Sequence, residues 1–346
     1  MRLPIRSVLF VVVVGCGADD ASTSSSSSTP SDSGPTGSSL PADSAVDSTP
    51  PSPSGDSAAP DTFVVVTINS GTTPGLPHDS DGDAYTDVEA AISDDWYGNG
   101  LAWVPAIEAA TAWFATADVD LVAFQEIFDV GECPSIPADK HRGFVCEGFD
   151  AGDPTVPERV LGDAYAVQCH PGRGDKCLAV HERFGTWAGP LEGEPVPDCG
   201  SGARVARGVV IRPDGSRLTV VHVHGSSGVG AGDVACRVAQ VDQVFVDLDG
   251  EPGVNGDTHV VLGDLNTDPG RMTTIDASAV RWAEEVGGAS AFQWVTEVGP
   301  DAAPTYGGLF NIDHVASDGL TGTCTHETVL DTVYFDHVPA RCVVGP

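Results

Sequence analysis

Apolar, β-branched runs bounded by Gly, Pro, Asn and Asp recur from residue 62 to the end of the chain, and each predicts a strand. Residues 62–68 (TFVVVTI) and 119–124 (VDLVAF) are the first two. Residues 205–211 and 218–224 flank Pro213-Asp214-Gly215, a hairpin turn signal. Residues 258–262, 311–315 and 332–343 complete the set. Two segments change period: Ile107, Ala110, Trp113 and Phe114 repeat at helical spacing within residues 107–117, and residues 236–248 (CRVAQVDQVFVDL) do the same. Residues 125–200 are polar and Cys-bearing, and read as loops. Strands alternating with helices predict an α/β fold with sheets at its centre.

The first 60 residues follow neither period. Arg2 and Arg6 precede a short apolar run at residues 8–14, which ends in Gly15-Cys16. That order predicts an export signal over residues 1–16 rather than a spanning helix, which needs about 20 apolar residues. The Gly15-Cys16 junction resembles a bacterial lipobox, which implies lipidation at Cys16 and a lipid-anchored, exported protein of the cell envelope. Residues 17–60 are Ser, Pro, Asp, Thr and Gly with few large apolar residues. Such composition cannot offset chain entropy by burial and predicts a disordered tether. Residues 61–346 are long enough for one large domain.

Charge narrows the partners. The formal net charge is −34, and residues 61–346 carry 14 Lys and Arg against 44 Asp and Glu. A surface so acidic repels polyanions and anionic membranes unless divalent cations intervene, and it lacks the basic patch of a tight nucleic-acid binder. Beyond Cys16 there are eight cysteines, none in a C-x-x-C zinc pattern, and an even number in an exported domain predicts disulfides. Proximity suggests Cys133 with Cys146 and Cys169 with Cys177.

Chemistry-bearing residues sit at the ends of the apolar runs. In VVLGDLNTDP, Asp264 and Asn266 are two apart, so on an extended chain both side chains share a face and reach one pocket; a strand ending in an Asx turn is the plainer alternative. Asn69, Glu126, His224, Asp313, and Asp336 with His337 end other runs. Upstream, Asp79, Asp81, Asp83, Tyr85 and Asp87 fall at the oxygen-ligand positions of a calcium loop. Ala84 replaces the usual turn glycine and Glu89 closes the loop one residue early, so structural Ca²⁺ and an acidic solvated turn both remain open.

The pieces TIN at Asn69, FQE at Glu126, HVHG at His224, GDLN at Asp264 and Asn266, IDHV at Asp313 and FDHVP at Asp336 and His337 resemble, in order, the endonuclease/exonuclease/phosphatase superfamily. The resemblance implies a four-layer α/β sandwich, two packed and mainly antiparallel sheets flanked by helices. It also implies hydrolysis of a phosphodiester with Mg²⁺ or Mn²⁺. Glu126, Asn69 and Asp336 would hold the metal; His337, oriented by Asp313, would be the general base. Asp264 would position the attacking water or the metal, Asn266 would hold a phosphate oxygen and His224 would donate to the phosphate. A nuclease-like enzyme is the first expectation. A phospholipid-headgroup or small-molecule phosphodiesterase, and a non-catalytic calcium-binding surface lipoprotein, are the alternatives. Three features depart from the pattern: His222 stands where the family usually has Asn, residues 71–104 form a long insertion, and the phosphate-gripping Tyr or Arg has only Tyr165, Arg183 and Arg207 as candidates.

Overall fold

The computed structural model describes residues 62–72, 85–327 and 334–346, all within the compact unit Ala59–Pro346. The leading segment with Cys16, and Asp79, Asp81 and Asp83 of the calcium-loop reading, lie outside the described residues. Strand β1 (Phe63–Asn69) leads through α1 (Asp87–Tyr97) and α2 (Val104–Ala117) to β2 (Leu121–Gln125). After α3 (Val156–Leu161) come β3 (Tyr165–His170), β4 (Arg173–His181), β5 (Thr186–Trp187), β6 (Val205–Ile211) and β7 (Arg217–His224). Helix α4 (Ala231–Phe245), β8 (His259–Asp264) and α5 (Ala277–Glu285) follow. Strands β9 (Gln293–Trp294), β10 (Asp313–Ser317), β11 (Thr321–His326) and β12 (Ala340–Gly345) complete the domain.

These strands form two six-stranded sheets, ordered β11-β12-β1-β2-β4-β3 and β5-β6-β7-β8-β10-β9. In each sheet only the central pair is parallel, β1 with β2 and β7 with β8. Alternation along the strands builds four layers. From β1, Phe63 and Val65 face Val260, Leu262 and Val315 between the sheets, whereas Val66 and Ile68 turn outward to Trp113 and Phe114 of α2. From β8, Val261 turns the other way, onto Val241 and Val244 of α4 and Trp282 of α5. Full burial of each such side chain contributes about 1.5–3 kcal/mol, and the architecture is the sandwich that the resemblance implies.

Two expectations fail locally. Residues 125–200 are not all loop, since α3, β3 and β4 lie within them. As an edge strand, β3 is only part-buried along most of its length. The first residues of β4, Arg173 to Lys176, are polar because they reach past the apolar core. The final run at 332–343 also shortens to β12, which begins only after Pro339; proline has no N–H to offer the ladder.

Four disulfides join Cys133–Cys146, Cys169–Cys177, Cys199–Cys236 and Cys324–Cys342. The second and fourth link residues directly opposite in the β3/β4 and β11/β12 ladders. Their number fits an oxidising compartment. Among the described residues no helix is long and apolar enough to cross a membrane.

Candidate active site

Both parallel pairs end at one edge of the sandwich. Asn69 ends β1, Glu126 follows β2, His224 ends β7 and Asp264 ends β8, while Asp313 opens β10 directly opposite Asp264. Across the sheets Asn69 Nδ2 donates to Asp264 Oδ2 at 3.0 Å. Gly263 makes the approach of β7 and β8 possible: with φ +146°, its Cβ would stand 1.8 Å from the Val223 carbonyl oxygen. Gly71 plays a similar part for Glu126, whose Oε2 would lie 2.2 Å from a Cβ there, with Asn69 Oδ1 at 3.1 Å.

Asp264 and Asn266 do meet, but not by sharing a strand face. The strand ends at Asp264, and Asn266 adopts φ +50° in a turn closed by its N–H on Asp264 Oδ1 at 2.7 Å. Asn266 Nδ2 donates to Asp264 Oδ2 and to the Gly225 carbonyl, both at 3.0 Å. Both of its side-chain hydrogens are thus engaged, so Asn266 supports Asp264 here instead of presenting a free donor.

His337 and Asp313 form a buried pair, Nδ1 to Oδ2 at 2.7 Å. The other ring nitrogen, Nε2, faces Asp264 Oδ2 and Asp336 Oδ1, each 3.9 Å away. The Tyr306 ring covers the imidazole at 4.7 Å between centroids. His224 is 3% exposed, yet neither ring nitrogen has a hydrogen-bond partner. Its Nε2 stands 3.4 Å from Glu126 Oε1 and 3.7 Å from Asp264 Oδ2. Glu126 itself takes φ +55°, a strained backbone conformation of the kind that clusters at functional sites.

These environments separate the acids. Burial works to raise the Glu126 pKa, but the neighbouring His224, His337 and Lys176 outweigh it and bring it to about 2. Burial pushes Asp264 and Asp336 up to about 7 against the pull of His337. His337 goes the other way: burial works to lower it, but Asp313, Asp264 and Asp336 hold it near 10. His224 falls to about 4, through burial and then the charge of Lys176.

No protein-family model matches the chain, and no curated protein matches it. Solved structures do. An endonuclease/exonuclease/phosphatase from Beutenbergia cavernae is 17% identical, with a TM-score of 0.53 over 82% of this chain and 72% of that one. A conserved protein of unknown function from Enterococcus faecalis is 14% identical, with a TM-score of 0.50 over 82% of this chain and all of its own. The chain has the endonuclease/exonuclease/phosphatase fold. At these identities the likeness concerns architecture.

Within this fold, Glu126, Asp336 and Asn69 offer hard oxygen donors of the type that suits Mg²⁺ or Mn²⁺. Asp336 Oδ1 is buried without a hydrogen-bond partner, which a cation would satisfy. Asp264, Asp313 and His337 also bring ligand atoms within 4.8 Å of one another, although His337 Nδ1 is already held by Asp313. Tyr85 of the calcium-loop reading is buried against Trp103 and Tyr334. Asp87 and Glu89 lie in the first turn of α1, where the Glu89 carboxylate accepts from the Thr86 N–H and hydroxyl in a capping box. That cap engages the acid expected to close the loop.

The three phosphate-gripping candidates are committed elsewhere. Tyr165 donates to the Val119 carbonyl, Arg183 binds Asp118 and Asp120, and Arg207 binds Glu192 and Glu251. Cationic side chains beside the site lie in the segment read as loop. Lys176, 1% exposed and paired with Asp175, sits opposite Gln125 in the β2/β4 ladder, and its charge reaches both Glu126 and His224. Beside Glu126, Arg173 and Asp175 line a cleft of about 430 Å³ with Trp96 and Asp129. A lysine at the head of an apolar Cys-Leu-Ala-Val run was the available signal. His222 is buried in a relay of its own: Gln125 Nε2 donates to His222 Nε2 at 2.6 Å, His222 Nδ1 to His170 Nε2 at 2.8 Å, and His170 Nδ1 to the Ala203 carbonyl at 3.1 Å. Neutral rings satisfy every contact.

Proposed function

We propose that this chain hydrolyses phosphodiester bonds with the help of a divalent cation. The observation that carries this reading is His224, a buried imidazole with no partner on either nitrogen, aimed between Glu126 and Asp264 and beside the Asp313–His337 pair. A buried polar group left unpaired is expensive unless a ligand completes it. Glu126, Asp336 and Asn69 would hold Mg²⁺ or Mn²⁺, which when bound neutralises charge on the phosphate oxygens.

The rest is work for the side chains. Asp313 fixes the proton of His337 on Nδ1, leaving Nε2, in its unprotonated form, to take the proton of an attacking water. Asp264, held by Asn69 and Asn266, orients that water within reach of His337. His224, kept neutral by its lowered pKa, donates its N–H to a phosphoryl oxygen as charge builds there. Nuclease-like and lipid-headgroup substrates share this chemistry, and fold does not choose between them.

Export through residues 1–16, lipidation at Cys16, a tether over residues 17–60 and a catalytic domain over residues 61–346 complete the reading, supported by the signal-like start and the four disulfides. The chemistry is tested with a chromogenic phosphodiester and its monoester in Mg²⁺, Mn²⁺, Ca²⁺ or chelator. Metal-dependent diester cleavage is expected. Monoester preference would redirect the reading to a phosphatase, and no turnover from folded protein would leave a calcium-binding surface protein as the better account.

A further inference from the structure

Three loops leave the second sheet at the catalytic edge, and each carries apolar side chains into solvent. Val229, 75% exposed, lies between β7 and α4; Ile275, 79% exposed, lies between β8 and α5. Before β10, Tyr306, Leu309 and Phe310 are exposed on a turn that Gly307 and Gly308 close with φ of +56° and +67°. In that turn Leu309 N–H donates to the Tyr306 carbonyl at 3.0 Å and Tyr306 N–H donates to the Phe310 carbonyl at 2.9 Å. Isolated surface apolar residues need no explanation, but exposed ones on three loops at one sheet edge do.

The loops are built to stay together. Arg237, 2% exposed, donates from Nη1 to the Ser226 and Gly228 carbonyls at 2.7 Å and from Nη2 to Asp276 Oδ2 at 2.9 Å. Val229 and Ile275 are each the chain neighbour of a residue bound to this one guanidinium. Asp268, 1% exposed, accepts from Arg271 Nη1 at 2.6 Å and from Asn311 N–H at 3.0 Å, which ties the second loop to the third. Tyr306 packs on His337, so the apolar rim reaches the catalytic imidazole itself.

We propose that this rim docks on a lipid–water interface of zwitterionic headgroups, so that the phosphodiester taken by the site is presented by a bilayer; this rests on the phosphodiesterase reading above. Exposed apolar side chains gain by entering the headgroup region. The formal net charge of −34 argues against a polyanionic occupant and against an anionic bilayer, each of which the body of the protein repels. Of the zwitterionic and anionic bilayers, the one without net charge admits the rim without repulsion from the acidic body.

The test uses the full chain carrying Cys16→Ser, which removes the proposed anchor, in flotation with vesicles of phosphatidylcholine alone or with added phosphatidylglycerol. Binding to phosphatidylcholine vesicles is expected, weakened by the anionic lipid. The triple variant Val229→Glu, Ile275→Glu, Leu309→Glu should lower the bound fraction at least about tenfold while a soluble chromogenic diester is cleaved at the parental rate. Failure of the parent to bind, or equal binding by the triple variant, would overturn the proposal. A parent that is dimeric and a triple variant that is monomeric would assign the rim to a second copy and overturn it too. Vesicle binding without cleavage of any diester would sustain the docking surface and sink the phosphodiesterase reading, so the two failures are distinguishable.

Discussion

Asn69 Nδ2 and Asp264 Oδ2, 3.0 Å apart, join the last residue of β1 to the last residue of β8 and so tie the two sheets together inside the site. Asn69→Ala should therefore act on both stability and turnover. Loss of a buried hydrogen bond to a carboxylate costs about 1–3 kcal/mol, and Asp264 would lose its alignment with His337. Urea unfolding read alongside diester turnover checks this; an unchanged midpoint with parental turnover would show that the contact does neither job.

The Asp313–His337 pair predicts a graded loss. His337→Ala removes the proton acceptor and should lower turnover by about 10²–10⁴-fold. Asp313→Asn leaves the ring in place but removes the charge that does most to raise its pKa. The rising limb of the rate profile, where His337 loses its proton and becomes a base, should then move to lower pH, because less field holds the proton on His337. Full turnover by His337→Ala would remove this residue from the chemistry.

Much of this constellation was legible before any coordinates. Val65, Val66, Leu262 and their neighbours specify strands through local preference and alternation, and the acids and histidines stand where those runs end. The less legible parts depend on contacts far apart in sequence. The polar start of β4, which hid Lys176, is explained only by the site it reaches. Tyr306 lies on a glycine turn with no strand pattern of its own, and its place on His337 is a contact between loops. Asn266 meets Asp264 through the Asx turn and not across a shared strand face, because an i to i+2 spacing does not say where a strand stops.

Gly71→Ala tests the metal donors separately from the core. A Cβ there would lie 2.2 Å from Glu126 Oε2, the movable end of a side chain, so Glu126 must swing away while the backbone stays. Mg²⁺ affinity and turnover should both fall, with the free energy of unfolding in urea within about 1 kcal/mol of the parent. Calorimetric titration with Mg²⁺ reads the first effect directly, and parental affinity would place the ion away from Glu126.

Proton and metal should compete at Asp336, whose carboxyl is pushed up to about 7 by burial and neighbouring carboxylates. Below that value the acid is largely protonated and a poor ligand, and above it the carboxylate is free to bind. Mg²⁺ affinity is therefore expected to climb between pH 6 and 8 and then level off. Asp336→Asn should flatten the climb. A pH-independent affinity in the parent would exclude Asp336 as a ligand.

The buried relay of Gln125, His222 and His170 sets the acid limit of the fold. Burial lowers His170 to about 3 and His222 well below its ordinary value, so the unfolded chain binds more protons than the folded one as pH falls below about 6.5. Their contribution to stability is present above that pH and is lost on acidification. His337 has the opposite sign: its pKa is raised, so its contribution is full below about 6.5 and is lost as pH rises towards 10. Replacing His222 by Asn, the residue usual at this place in the resembling superfamily, removes one titrating ring and should make the decline from pH 7 to pH 4 shallower, even if the variant is less stable at pH 7. Urea midpoints across that range decide it. An unchanged slope would mean that the histidine relay is not what the acid attacks, and that the decline belongs to the other buried imidazoles, His224 and His314, each lowered to about 4 by burial.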